Sequence, residues 1–266
     1  MPYFVTQDGC RLYYETEGFD SEKPTVVFLN GAMQSTVNWR PHTAALKDRF
    51  QVLMYDARGQ GQSALGDQPL SLEGHAADLG ALLDHLEMEK AHLVGLSHGA
   101  KVALFYAARS PERVNSLILC SVTVTLTQRA RLFVASWLEI LKGAGLEAVI
   151  RASLPIVFGE DFLKDKERIL DGVVKATAMR NSKEGLTAFL QALIAYPSLA
   201  EIAASLSVPC LVISASEDPL VTEEGARELA QLCGGSHKQV TRIGHSIPSE
   251  APELFNKIIL EFLSRT

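Results

Sequence analysis

The stretch His92-Leu93-Val94-Gly95-Leu96-Ser97-His98-Gly99-Ala100-Lys101, HLVGLSHGAK, decides how the rest of the chain is read. A short apolar run stops at a serine with a glycine two places away on each side, and a helical pattern begins at once. A sharp turn from strand into helix strains the serine's backbone and crowds its neighbours. Residues without a Cβ at 95 and 99 relieve the crowding and leave the hydroxyl standing clear. A serine that merely capped the helix would need no second glycine.

Outward from this turn the pattern alternates. Phe4–Glu17 predicts a hairpin turning at Asp8-Gly9. Thr25–Asn30, Gln51–Tyr55, His92–Leu96, Val114–Cys120, Val208–Ser214 and Ser236–Ile243 predict strands. Their continuous apolar runs suit a sheet covered on both faces. Thr36–Lys47, Ser71–Met88, His98–Arg109 and Pro248–Ser264 predict helices, with leucines at 72, 79, 82, 83 and 86 near the 3.6-residue period. Strands alternating with helices imply parallel pairing through right-handed crossovers. The expected class is α/β: a mostly parallel central sheet with helices on both faces.

Residues 123–205 break the alternation. They read as helices throughout, with breaks at Gly143, Gly145, Pro155, Gly159 and Pro197. Roughly eighty residues between two strands far exceeds the usual crossover of about a dozen. The expectation is an inserted helical cap at 123–205 on a core made of 1–122 and 206–266.

The bulk properties exclude several classes. The net charge of −6, with acids and bases interspersed, offers no basic footprint for nucleic acid or an anionic membrane. No run of 18 apolar residues predicts a membrane span, and the start MPYFVTQDG has no signal-peptide pattern. Cys10, Cys120, Cys210 and Cys233 show no ligand spacing, so neither a zinc site nor a disulfide framework is expected. A reducing cytoplasm fits.

A serine hydroxyl needs a base, and the base needs an orienting carboxylate. Both follow in the order nucleophile, acid, base. After the strand CLVISAS come Glu217 and Asp218, of which Asp218 is preferred as the acid and Glu217 is the competitor. After the last strand comes His245, in a loop before the closing helix. The other histidines sit on predicted helices or strands, and His98 lies too close to Ser97 to serve as base. Backbone N–H groups for an oxyanion are expected from His98, directly after the serine, and from Ala32, in the loop after VVFLN.

Four segments, VVFLNGAMQSTVNW, YDARGQGQS, LVGLSHGAKVALFYAARSPERV and SEDPLVTEEGARELA with IGHSIPSEAPELF, together resemble the α/β-hydrolase superfamily over nearly the whole chain. Within it the chain looks most like the capped 3-oxoadipate enol-lactonase and small-esterase group, which shares Asn30 and the YDARG run. The resemblance implies Ser97 as nucleophile, Asp218 as acid, His245 as base, Ala32 and His98 as oxyanion donors, and Asp56 and Arg58 as ties of the glycine turn. It implies a small-molecule ester or lactone substrate and no metal or organic cofactor. Dehalogenase or epoxide-hydrolase chemistry would need a carboxylate at position 97. Gln60, His98 and Lys101 depart from the usual pattern. NGAM is also similar to enzymes that join hydroxyacyl chains from acyl carrier protein. A thioesterase or acyltransferase acting on carrier-bound chains is therefore the alternative, and a basic rim of Arg129, Arg131 and Lys142 would favour it. A signalling or ligand-binding protein on the same fold is the second alternative.

Overall fold

The computed structural model describes residues 2–20 and 22–266. Eight strands form one sheet: β1 (Tyr3–Val5), β2 (Arg11–Glu17), β3 (Thr25–Leu29), β4 (Gln51–Tyr55), β5 (Ala91–Leu96), β6 (Val114–Cys120), β7 (Cys210–Ala215) and β8 (Ser236–Val240). Their order is β1-β2-β4-β3-β5-β6-β7-β8. The hairpin β1-β2 and the β2-β4 pair are antiparallel, and every other pair is parallel. The parallel strands need crossovers, and these are the helices α1 (Arg40–Leu46), α2 (Leu72–His85), α3 (His98–Arg109), the helices α4 to α9 between β6 and β7, and α10 (Glu223–Leu232). The chain closes with α11 (Ile247–Glu250) and α12 (Pro252–Leu263).

Alternation along each strand sorts the apolar residues onto two faces. Val27, Leu29, Leu53, Leu93, Leu117 and Val212 point to the face covered by α2, α3 and α10. Val26, Phe28, Met54, Val94, Ile118 and Ile213 point to the face covered by α1 and α12. On that second face Phe28 stacks on Trp39 with ring centroids 4.6 Å apart. Each such fully buried side chain contributes about 1.5–3 kcal/mol. This two-sided burial explains why the strands read as unbroken apolar runs.

The helices between β6 and β7 are α4 (Gln128–Ala144), α5 (Leu146–Val157), α6 (Glu160–Lys166), α7 (Leu170–Arg180), α8 (Lys183–Ala195) and α9 (Ala200–Ala204). Val134, Trp137, Leu141, Val149, Phe189 and Leu190 make a third core there, against which Ala32 and Met33 of the β3 loop pack. Ala203 of α9 joins the sheet core instead.

Several boundaries differ from the sequence expectation. Strand β7 starts at Cys210 rather than Val208 because Pro209 has no N–H for the ladder, although its carbonyl still accepts from Leu117 at 2.8 Å. Strand β8 ends at Val240 because Arg242, at φ +60°, turns the chain. The closing helix is two helices: Pro252 cannot donate to the turn before it, so α12 begins there afresh. Neither Gly143 nor Pro155 breaks a helix. Gly143 lies within α4, and Pro155 lies near the end of α5, where its missing N–H leaves the carbonyl of exposed Arg151 to solvent.

Candidate active site

Ser97 sits where β5 gives way to α3, at φ +54° and ψ −109°. Its N–H donates to the Cys120 carbonyl at 2.8 Å, which pins the turn to the neighbouring strand. A Cβ on Gly95 would lie 2.5 Å from the Ala100 backbone, and one on Gly99 would lie 2.2 Å from the Leu29 carbonyl oxygen. Both glycines are therefore demanded by the fold of the turn. With backbone packed this closely on both sides, the serine side chain is left facing outward.

His245 follows β8 and Asp218 follows β7, and parallel pairing of those strands brings both loops to the same sheet edge. His245 Nδ1 lies 2.7 Å from Asp218 Oδ2. A carboxylate only accepts, so Nδ1 carries the proton and Nε2 is left as the basic nitrogen. Asp218 Oδ1 accepts from the N–H groups of Leu220 and Val221 at 2.8 and 3.1 Å, which fixes the carboxylate's plane. Glu217 points elsewhere: its Oε2 accepts from the N–H of Glu160 at 2.9 Å. Among the described residues, Ser97 Oγ makes no hydrogen bond to His245, although both line one cavity. Such bonds often close only when substrate arrives.

Sequence reasoning missed Ser121. It ends β6 at φ +51° and its hydroxyl donates to the His245 carbonyl at 2.7 Å, holding the histidine loop from below. Only a bend at the end of β6 can bring it there, and nothing in CSVT marks one.

The loop after β3 is braced from three sides. Gly31 N–H donates to Gln34 Oε1 at 3.0 Å, and Gln60 Nε2 donates to the Gly31 carbonyl at 2.8 Å. Asn30 donates to the Tyr55 carbonyl and accepts from Trp39 Nε1 at 2.7 Å. Asp56, fully buried, accepts from the N–H groups of Thr36 and Gln62 at 2.7 and 2.9 Å. Among the described residues, neither the N–H of Ala32 nor that of His98 has an acceptor. Arg58 is clamped between two carboxylates, Asp8 and Asp78, at 2.6 Å each. It ties the glycine turn to the hairpin and to α2.

Ser97, His245 and Ala32 open into a cavity of about 150 Å³. Its far wall comes from α4 and α5, through Val134, Trp137, Ile150 and Leu154. Arg129, Arg131 and Lys142 do not line it. Arg131 donates to the Ile194 carbonyl and Lys142 pairs with Glu139.

The sequence pattern described as the alpha/beta hydrolase fold matches residues 24–252. The chain belongs to this family. The alpha/beta hydrolase is 27% identical to 3-oxoadipate enol-lactonase 2 of Acinetobacter baylyi, covering 100% of this chain and 99% of that one. It is 30% identical to a Caulobacter sp. (strain K31) protein named as a carbamate hydrolase, RutD, over 97% of each. The crystal structure of the enol-lactonase from Burkholderia xenovorans LB400 superimposes with a TM-score of 0.90 at 28% identity, covering 99% of this chain and 100% of that one.

The residue after Ser97 in this hydrolase is a histidine. The His98 ring is buried, edge-on to His75 at 4.8 Å and to Phe189 at 4.5 Å, with Nε2 3.2 Å from Tyr196 Oη. Burial, aided by His75 and Lys101, holds it well below the usual histidine range. His98 thus packs as a neutral ring beside His75, Phe189 and Tyr196, while its backbone N–H has no acceptor among the described residues.

His75 and His92 are likewise pushed down by burial to about 4. In the unfolded chain they titrate near 6.5, so protons favour unfolding as the pH falls between those values. Each then costs about 2 kcal/mol between pH 7 and 5. Asp56, raised by burial to about 6, acts in the opposite sense and offsets about 1 kcal/mol. A net loss of about 3 kcal/mol at pH 5 corresponds to a drop in Tm of roughly 5 °C or more. Thermal melts at the two pH values check this, and an unchanged Tm would mean that these histidines are not held neutral.

Proposed function

We propose that the chain is a serine hydrolase of small carboxylic esters or lactones. One arrangement carries the assignment: Ser97 at a strained strand-to-helix turn and His245, hydrogen-bonded to Asp218, face the same cavity. His245 Nε2 takes the proton of Ser97 Oγ as the oxygen bonds to the substrate carbonyl carbon. The negative charge that develops on the carbonyl oxygen is met by the Ala32 and His98 N–H groups, which are free to donate. Collapse breaks the ester C–O bond, and His245 passes the proton to the leaving oxygen. Water, deprotonated by the same nitrogen, then releases the acid and restores Ser97. In a lactone the leaving oxygen stays attached to the acyl chain, so one open hydroxy acid is released. Residues 123–205 act as a cap that supplies the apolar wall and keeps bulk water from the acyl-enzyme.

An engineered apolar cavity of about 150 Å³ admits benzene, so compact acyl groups are expected here. In a p-nitrophenyl ester series from acetate to decanoate, kcat/KM should peak at the short chains. A pre-steady-state burst of about one equivalent of p-nitrophenol is expected, with the acyl mass on the peptide containing Ser97. No ester turnover by folded protein, or acylation at another residue, would overturn the assignment.

A further inference from the structure

Lys101 is the one ionisable side chain besides His245 among the described residues that line the cavity, and no aspartate or glutamate lines it. It stands four residues after Ser97 on α3, so it lies one turn below the serine on the same helix face, and its side chain leans back toward that turn. The residue is 7% exposed. Its Nζ donates to the Thr123 carbonyl at 2.9 Å, its single hydrogen bond among the described residues. An ammonium has three protons to donate, so two are left without a protein acceptor.

A buried cation without a counter-ion is costly to keep in a core. Burial lowers Lys101 to about 8, which still leaves it mostly protonated at pH 7. The surrounding hydroxyls do not compensate it. Those of Ser121, Thr123 and Ser153 donate to the carbonyls of His245, Thr125 and Ile150. Across the cavity, Trp137 contributes a further N–H with no acceptor among the described residues. The wall therefore has donors to spare and no anion.

Taking Ser97 as the nucleophile, we propose that Lys101 selects substrates by charge: it pairs with a carboxylate on the acyl part, so the enzyme acts on half-esters of dicarboxylic acids or on carboxylate-bearing lactones. The carboxylate would sit beside Nζ while the reacting carbonyl lies at Ser97 Oγ. The two residues stand four apart along the chain and line the same cavity, so the anchors suit an acyl chain of a few methylenes.

The test compares monoethyl glutarate with ethyl pentanoate, acyl groups of equal length that differ by a carboxylate for a methyl, followed by titration of released acid. In Lys101→Met, which keeps the stem and removes the charge, the kcat/KM ratio of the anionic to the neutral ester should fall about 10²-fold. The loss should come mainly through KM. A ratio unchanged by the substitution overturns the proposal, as does wild type that discriminates against the anionic ester. Independently of turnover, glutarate should raise the Tm of wild type and of Ser97→Ala, and neutral glutaramide should not. That comparison decides the matter on native protein if Lys101→Met fails to fold. Equal shifts from the two compounds, or none, would overturn charge selection. If wild type cleaves neither ester yet responds to glutarate alone, the hydrolase assignment fails and the anion site stands. If it cleaves ethyl pentanoate and the ratio ignores Lys101, the reverse holds.

Discussion

Ser97→Ala is expected to lower kcat toward the best p-nitrophenyl ester by roughly 10⁴- to 10⁶-fold, with a Tm within about two degrees of wild type. The two halves of this expectation have separate causes. Among the described residues Ser97 Oγ takes part in no hydrogen bond, so removing it leaves no buried partner unsatisfied. The φ of +54° strains alanine as it strains serine, and the turn itself is held by backbone bonds to Cys120 and Lys101. On the proposed mechanism activity depends on the oxygen alone, because no acyl-enzyme would form without it. A residue of catalysis over water should remain, supplied by the Ala32 and His98 N–H groups. Steady-state kinetics with burst amplitude and a thermal melt on the same preparation check both halves. Retention of a tenth of the activity would place the nucleophile elsewhere.

Gly99→Ala is expected to cost about 3 kcal/mol or more and to lower kcat at least 10²-fold in whatever fraction stays folded. The added methyl would lie 2.2 Å from the Leu29 oxygen, 2.5 Å from the Leu29 carbonyl carbon and 2.8 Å from the Asn30 oxygen. All three are backbone atoms at the end of β3, so no side chain can rotate away. Either α3 or the loop carrying Ala32 must shift, and the proposed oxyanion donors, the N–H groups of Ala32 and His98, depend on that spacing. Stability and rate therefore fall together, unlike in Ser97→Ala. Gly143→Ala is the matched control. It lies within α4 with nothing near a new Cβ, and the better helix propensity should stabilise by about 0.5–1 kcal/mol. Denaturant unfolding of both variants checks the contrast, and a Gly99→Ala protein of wild-type stability would refute the close approach.

The elements of this protein were legible because their signals are local. Unbroken apolar strand runs, period-3.6 helical patterns, the halts at Gly145 and Gly159, and the strand-turn-helix around Ser97 all involve residues within a few turns of each other. The turn at Ser97 could be read with part of its reason: Gly95 answers to the local backbone of Gly99 and Ala100, whereas Gly99 answers to Leu29 and Asn30 at the end of β3. Local signals also put Asp218 and His245 in loops that follow strands, and in a parallel sheet every strand delivers its carboxyl end to the same edge.

What the tertiary structure decided lies between residues far apart in the chain. Glu217 and Asp218 are neighbours with the same chemistry, and they diverge because one side chain faces the His245 loop while the other meets the start of α6. Ser121 under His245, Gln60 against Gly31 and Lys101 against Thr123 join residues from 22 to 124 positions apart. A sequence carries no local trace of such pairs, since their distances follow only from the packing of elements on the sheet. The same holds for the cavity, whose size is the gap left between helices α4 and α5 and the edge of β5. Local pattern thus determined the elements and the residue types offered at the site. Packing alone determined which of them meet, and which lysine was left buried beside the serine without a counter-charge.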